Sequence, residues 1–174
     1  MQAIDEFVEV GSAAWWLLLA LVLVARGCDL LSTYIATPNL VLEGNPLARK
    51  LGWRLGVPLN VLLAVLFAIW PVLAISLAST SLLVAARNLQ SAWLMRSLGE
   101  ASYRMWMSDR LAECPRGLPL FCFLGESVLF GVLGGALMWF ARWQLVPFAV
   151  GLGLTGYALA VAVFTSLSLW RARS

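Results

Sequence analysis

Arg26, Asp29, Ser32, Thr33 and Thr37 lie in or just past one apolar run, and Glu43 and Asn45 follow it. At about 100° per residue, Arg26, Thr33 and Thr37 fall about 60°, 40° and 80° from Asp29. They form one narrow helical face, with Ser32 at its edge. A second acid, Glu126, stands alone in another apolar run. Three chemistries fit these residue types. An Arg–Asp pair at i,i+3 neutralises itself and fixes helix packing. A carboxylate at membrane depth can carry a proton or an ion. Glu43 and Asn45, taken with Asp29, offer oxygen ligands of the kind a hard divalent cation takes. The plainest reading of Glu43, Asn45 and Pro46 is a turn followed by a helix cap.

A charge at the bilayer centre costs roughly 2.5–3.5 kcal/mol on insertion scales. Arg26 and Asp29 are therefore expected to turn inward as a pair, and Glu126 needs a partner or a proton. Arg26 can serve both acids if the first and third apolar helices pack together. In that arrangement Arg26, Asp29 and Glu126 converge on the interior of the bundle.

Other chemistry is limited by composition. The chain has no histidine, which removes histidine triads, imidazole bases and the commonest zinc sites from its own repertoire. Cys28, Cys114 and Cys122 show no metal-ligand or redox spacing. No cofactor is expected, no metal can be named, and no catalytic residue is assigned. The sequence has no run of basic residues with interleaved aromatics, so nucleic acid is not an expected partner.

The elements that hold these residues belong to a membrane. Of 174 residues 61% are hydrophobic and 12% charged, against about 45–50% and about 25% in soluble domains. Four apolar stretches predict an all-α polytopic protein with spans at about 11–36, 58–86, 118–141 and 145–170, in one domain. The first stretch lacks a basic leader, so it reads as a retained span. Asn45 and Pro46 start a short helix over about 46–53, and Pro71 is expected to kink the second span. Arg96, Glu100 and Arg104 recur every four residues, which predicts an interfacial amphipathic helix over about 88–113. Ser127, Gly131 and Gly135 form a small-residue ridge, and Gly153 and Gly156 a looser one, for close helix packing.

Asp29, Ser32 and Thr33, then Glu43, Asn45 and Pro46, then Arg49, follow the pattern Asp-x-x-[Ser/Thr]-Thr … Glu-x-Asn-Pro with a basic residue after it. This stretch resembles an uncharacterised family of small prokaryotic integral membrane proteins. The resemblance covers about residues 26–54 and implies a small prokaryotic membrane protein, with no activity to carry over. The cell membrane is the expected location, the inner membrane in a prokaryote.

Orientation rests on basic residues. No Lys or Arg precedes the first span, while Arg49, Lys50 and Arg54 follow it, which places the N-terminus outside. Counting every flank on a four-span plan reverses the balance, with Arg87, Arg96, Arg104, Arg110, Arg116, Arg171 and Arg173 on the N-terminal side. Several of those lie in the interfacial helix and pair internally, so the N-out reading is kept.

The leading functional reading is an accessory or structural subunit of a membrane complex, in contact with lipid and with other subunits or itself. A second is an ion- or proton-coupled transporter or channel using Asp29, Glu126 and Arg26. A third is a metal-dependent lipid-modifying enzyme, although the further Asp residues such chemistry needs are missing. Catalysis is not the favoured reading.

Overall fold

The computed structural model describes residues 7–115 and 117–171, without the side chains from 168 onward. The fold is all-α: α1 (Ala13–Ala36), α2 (Pro46–Phe67), α3 (Pro71–Leu98), α4 (Glu100–Glu113), α5 (Gly117–Phe140) and α6 (Leu145–Arg171). Among the described residues, five of these helices are long and apolar enough to cross a membrane, all but α4.

The count of four spans is therefore corrected. The stretch 58–86 is two helices, with a chain reversal at Ala68, Ile69 and Trp70. Trp70 is extended (φ −111°, ψ 105°), because a residue preceding proline is crowded out of the helical region. Pro71 then occupies the first turn of α3, where its missing N–H costs nothing. It starts a helix and kinks none. The predicted short helix over 46–53 corresponds to the first segment of α2, which breaks from the rest of that helix at Gly52, where the backbone is non-helical (φ 62°, ψ −173°). Glycine alone adopts that conformation without strain. The predicted interfacial helix over 88–113 is divided too. α3 runs on to Leu98, and Gly99 (φ 78°) separates it from α4.

Packing follows a simple order. α1 lies against α3, α3 against α6, and α6 against α5, while α2 rests mainly on the outside of α1. The backbone of Val8 donates to Ile69 O at 2.9 Å, and Phe7 packs on Trp70 with ring centroids 5.0 Å apart. The N-terminal flank and the α2–α3 turn thus share one end of the bundle, here the first end. At the second end, the backbone N–H of Asn39 donates to Glu100 Oε1 at 2.9 Å, clasping the α1–α2 loop to α4. The rise from Trp15 to Tyr34 along α1 is about 28 Å at helical pitch. That matches the roughly 30 Å hydrocarbon core. At the second end Tyr34 meets Trp53 edge-on at 5.7 Å, so aromatics mark both boundaries.

The turn makes a sharp prediction. In a variant with Cys28, Cys114 and Cys122 replaced by serine, Trp70→Cys will react with a membrane-impermeant maleimide from the face opposite to Gly99→Cys. A Trp70→Cys that stays protected from both faces, as a residue inside one kinked span would, rejects the five-crossing fold.

Candidate functional site

The polar residues gather in two networks, one on each side of α3. Arg26 sits on α1 roughly halfway between the Trp15 and Tyr34 levels. Its Nη1 donates to Asp29 Oδ2 at 2.7 Å and to Ser81 Oγ of α3 at 3.2 Å. Nε donates to Asn60 Oδ1 of α2 at 2.7 Å, and Nη2 points to the same oxygen. Asn60 is itself oriented by its Nδ2, which donates to Gly56 O at 2.7 Å. All three guanidinium nitrogens are therefore engaged, and three helices are tied together at mid-bilayer. The arginine and aspartate side chains keep only 24% and 14% of their exposure.

Toward the second end the stripe continues as neutral hydrogen bonds. Ser32 Oγ donates back to Asp29 O at 2.8 Å. Asn88 Nδ2 of α3 donates to Ser32 Oγ at 3.2 Å and Thr33 Oγ1 at 3.0 Å. Thr37 Oγ1 accepts from Leu42 N at 3.1 Å, which folds the α1–α2 loop. Glu43 Oε1 accepts from Asn45 N at 2.8 Å, and Asn45 Oδ1 caps α2 by accepting from Leu47 N at 3.0 Å. Trp53 Nε1 donates to Pro38 O at 2.8 Å and closes the loop over the boundary. Glu43 and Asn45 are thus occupied as turn and cap. Among the described residues no three His, Cys, Asp or Glu come together as a metal would require.

The second network corrects the expected sharing of Arg26. Glu126 is held by Arg87 of α3, with Nη1 at 3.3 Å from Oε1 and 3.2 Å from Oε2. Tyr157 Oη of α6 donates to Glu126 Oε1 at 2.6 Å, and the tyrosine ring stands edge-on to Phe130 at 5.0 Å. α1 and α5 occupy opposite edges of the packed helices, so Arg26 and Glu126 do not converge. The glycine ridge of α5 serves α6 instead of α1.

The small residues also take a different register. A Cβ on Gly134 would stand 2.6 Å from Gly151 O, and one on Gly131 would meet Ala158 Cβ at 3.8 Å, whereas Gly135 faces open space. Ser127, Gly131 and Gly134 thus share a face, as a 3.6-residue period requires. On α6 a Cβ on Gly153 would stand 2.7 Å from Ser76 O, and Gly156 lies near Thr80. Two interhelical bonds seal that contact: Ser76 Oγ donates to Ala149 O and Thr80 Oγ1 to Gly153 O, each at 2.8 Å.

No family, characterised protein or solved structure matches this chain. Function must be read from the networks themselves. Asn60, Ser81, Arg87, Asn88 and Tyr157 join the residues singled out from sequence, and each is a polar side chain embedded in an apolar helix. Arg87 was legible only once α3 was known to begin at Pro71. Counted from there it lies within a span, and its carboxylate partner must come from a neighbouring helix.

Proposed function

We propose that this chain is a structural or accessory subunit of a membrane assembly, with its intramembrane charges serving to lock helix packing. One observation carries the reading: Arg26 spends every guanidinium nitrogen on α1, α2 and α3 of its own chain. A site that loads and releases an ion must change partners, whereas this one is closed. Buried ion pairs are well attested as devices that fix register. The wide apolar exposure of α2, including Leu55, Leu62 and Leu66, leaves a face for lipid or a neighbouring subunit.

The proposed membrane is the prokaryotic inner membrane, as the resemblance over residues 26–54 implies. The proposed orientation has the N-terminus outside. The alternation of five crossings supports it better than the four-span plan did. Arg49, Lys50, Arg54, Arg96, Arg104 and Arg110 then flank the second end, against Arg142 at the first, in accord with the positive-inside rule.

Purification from native membranes in mild detergent tests the reading. A stoichiometric assembly is expected, either with another membrane protein or with further copies. The Asp29→Asn variant is expected to lower its thermal stability without altering any ion flux in liposomes. A partnerless monomer that moves protons or metal ions, and stops doing so with Asp29→Asn, would replace this reading with transport.

A further inference from the structure

Arg87 and Glu126 are more open to the outside than Arg26 and Asp29, and the two carboxylates differ most, at 32% against 14%. The Arg87 and Glu126 side chains keep 31% and 32% of their exposure. Among the described residues, Arg87 uses only Nη1 in a hydrogen bond, and the one partner of Glu126 Oε2 is Arg87. The opening has a structural cause. α3 and α5 each pack on α6 but not extensively on one another, so the pair bridges a groove whose floor carries the buried Tyr157.

The pair lies in the outer part of the acyl region, toward the second end. Glu126 is about 20 Å along α5 from Trp139, which is exposed near the first end. Arg87 adjoins Asn88, which bonds Thr33 just inside the Tyr34 boundary. On α5, Cys122, Leu129 and Leu133 fall within about 60° of Glu126, and all three are exposed. A half-open cation and anion therefore sit side by side, at one depth, in an apolar stripe.

Acyl chains offer neither an acceptor for the free guanidinium edge nor a donor for the carboxylate. A partner that brings one charge of each sign at the same depth meets both needs. A second copy does this by symmetry, since an adjacent plus and minus on one surface is self-complementary under a two-fold rotation. We propose that the α3–α5 groove is the contact between two copies of this chain. Each copy's Arg87 faces the other's Glu126 across an axis along the bilayer normal. The inference rests on the subunit reading above and names its partner.

Cys122 lies one turn from Glu126 and serves as a reporter. In membranes from a Cys28→Ser, Cys114→Ser background, a short bis-maleimide is expected to join two chains through Cys122. Arg87→Glu or Glu126→Arg alone will abolish the product, and co-expression of the two will restore it as a mixed dimer. Should the single variants fail to fold, the double variant Arg87→Glu with Glu126→Arg preserves the pair within each chain. It is expected to dimerise with itself, while mixed dimers with the unaltered chain fall about ten-fold below random, because like charges then oppose each other. Random mixing overturns the proposal, as does a Cys122 that takes a monofunctional maleimide yet yields no dimer. A cross-link from Cys122 to a different polypeptide overturns self-association and leaves the subunit reading intact. A partnerless monomer removes both.

Discussion

Replacing Arg26 with leucine will cost the fold about 3–5 kcal/mol, the usual loss when one member of a buried ion pair is removed. The cost comes mainly from what is left behind. Asp29 keeps a carboxylate inside the protein with no cation, since Arg26 Nη1 at 2.7 Å is its ion-pair partner. Asn60 Oδ1 and Ser81 Oγ lose the same donor group, so the tie from α1 to α2 and α3 goes with it. Asp29→Asn will cost less, because the amide oxygen can still accept from the guanidinium and Asn60 and Ser81 remain in place. The double variant Arg26→Leu with Asp29→Leu should recover much of the loss, since two apolar side chains leave no stranded charge. Unfolding in mixed micelles, followed by tryptophan fluorescence as denaturing detergent is titrated, measures all three. A double variant less stable than Arg26→Leu alone would mean that the carboxylate has another role at this position, and that packing is not its purpose.

The residues of this network are partly readable in the sequence. The 100° geometry places Arg26, Asp29 and Thr33 on one face, and Asn45 followed by Pro46 announces a helix start in plain chemical terms. The turn at Ala68, Ile69 and Trp70 announced nothing. All three residues are apolar, and no charge occurs between residues 55 and 86, so hydropathy runs through the reversal without a dip. Pro71 was the available signal, but a proline fits a kink and a first turn equally well. That single ambiguity spread. One long span ending near residue 86 makes Arg87 a loop charge and leaves Arg26 as the partner for Glu126. With α3 starting at Pro71, Arg87 enters the membrane and supplies the missing partner. The remaining polar contacts depend on which helices are neighbours, and a single chain's periodicity carries no information about that.

Gly134→Ala and Gly153→Ala should each destabilise the fold by about 1–3 kcal/mol, the range for overpacking a tight contact, whereas Gly135→Ala should not. The added methyl on Gly134 meets Gly151 O at 2.6 Å, and that on Gly153 meets Ser76 O at 2.7 Å. Both obstacles are backbone, which cannot rotate away, so the helices themselves must part. At Gly153 the separation would also stretch the bonds from Ser76 and Thr80 that join α3 to α6. At Gly135 nothing lies within 4 Å, and alanine should gain roughly 0.5–1 kcal/mol from its better helix propensity. The same detergent titration reads all three variants. The contrast matters because glycines 134 and 135 are adjacent and about 100° apart on the helix. Only the face seen here makes one of them indispensable, and equal losses at both would place α5 in the wrong rotation. A wrong rotation would also carry Glu126 away from Arg87 and Tyr157, so this pair of glycines tests the second polar network without touching any of its charges.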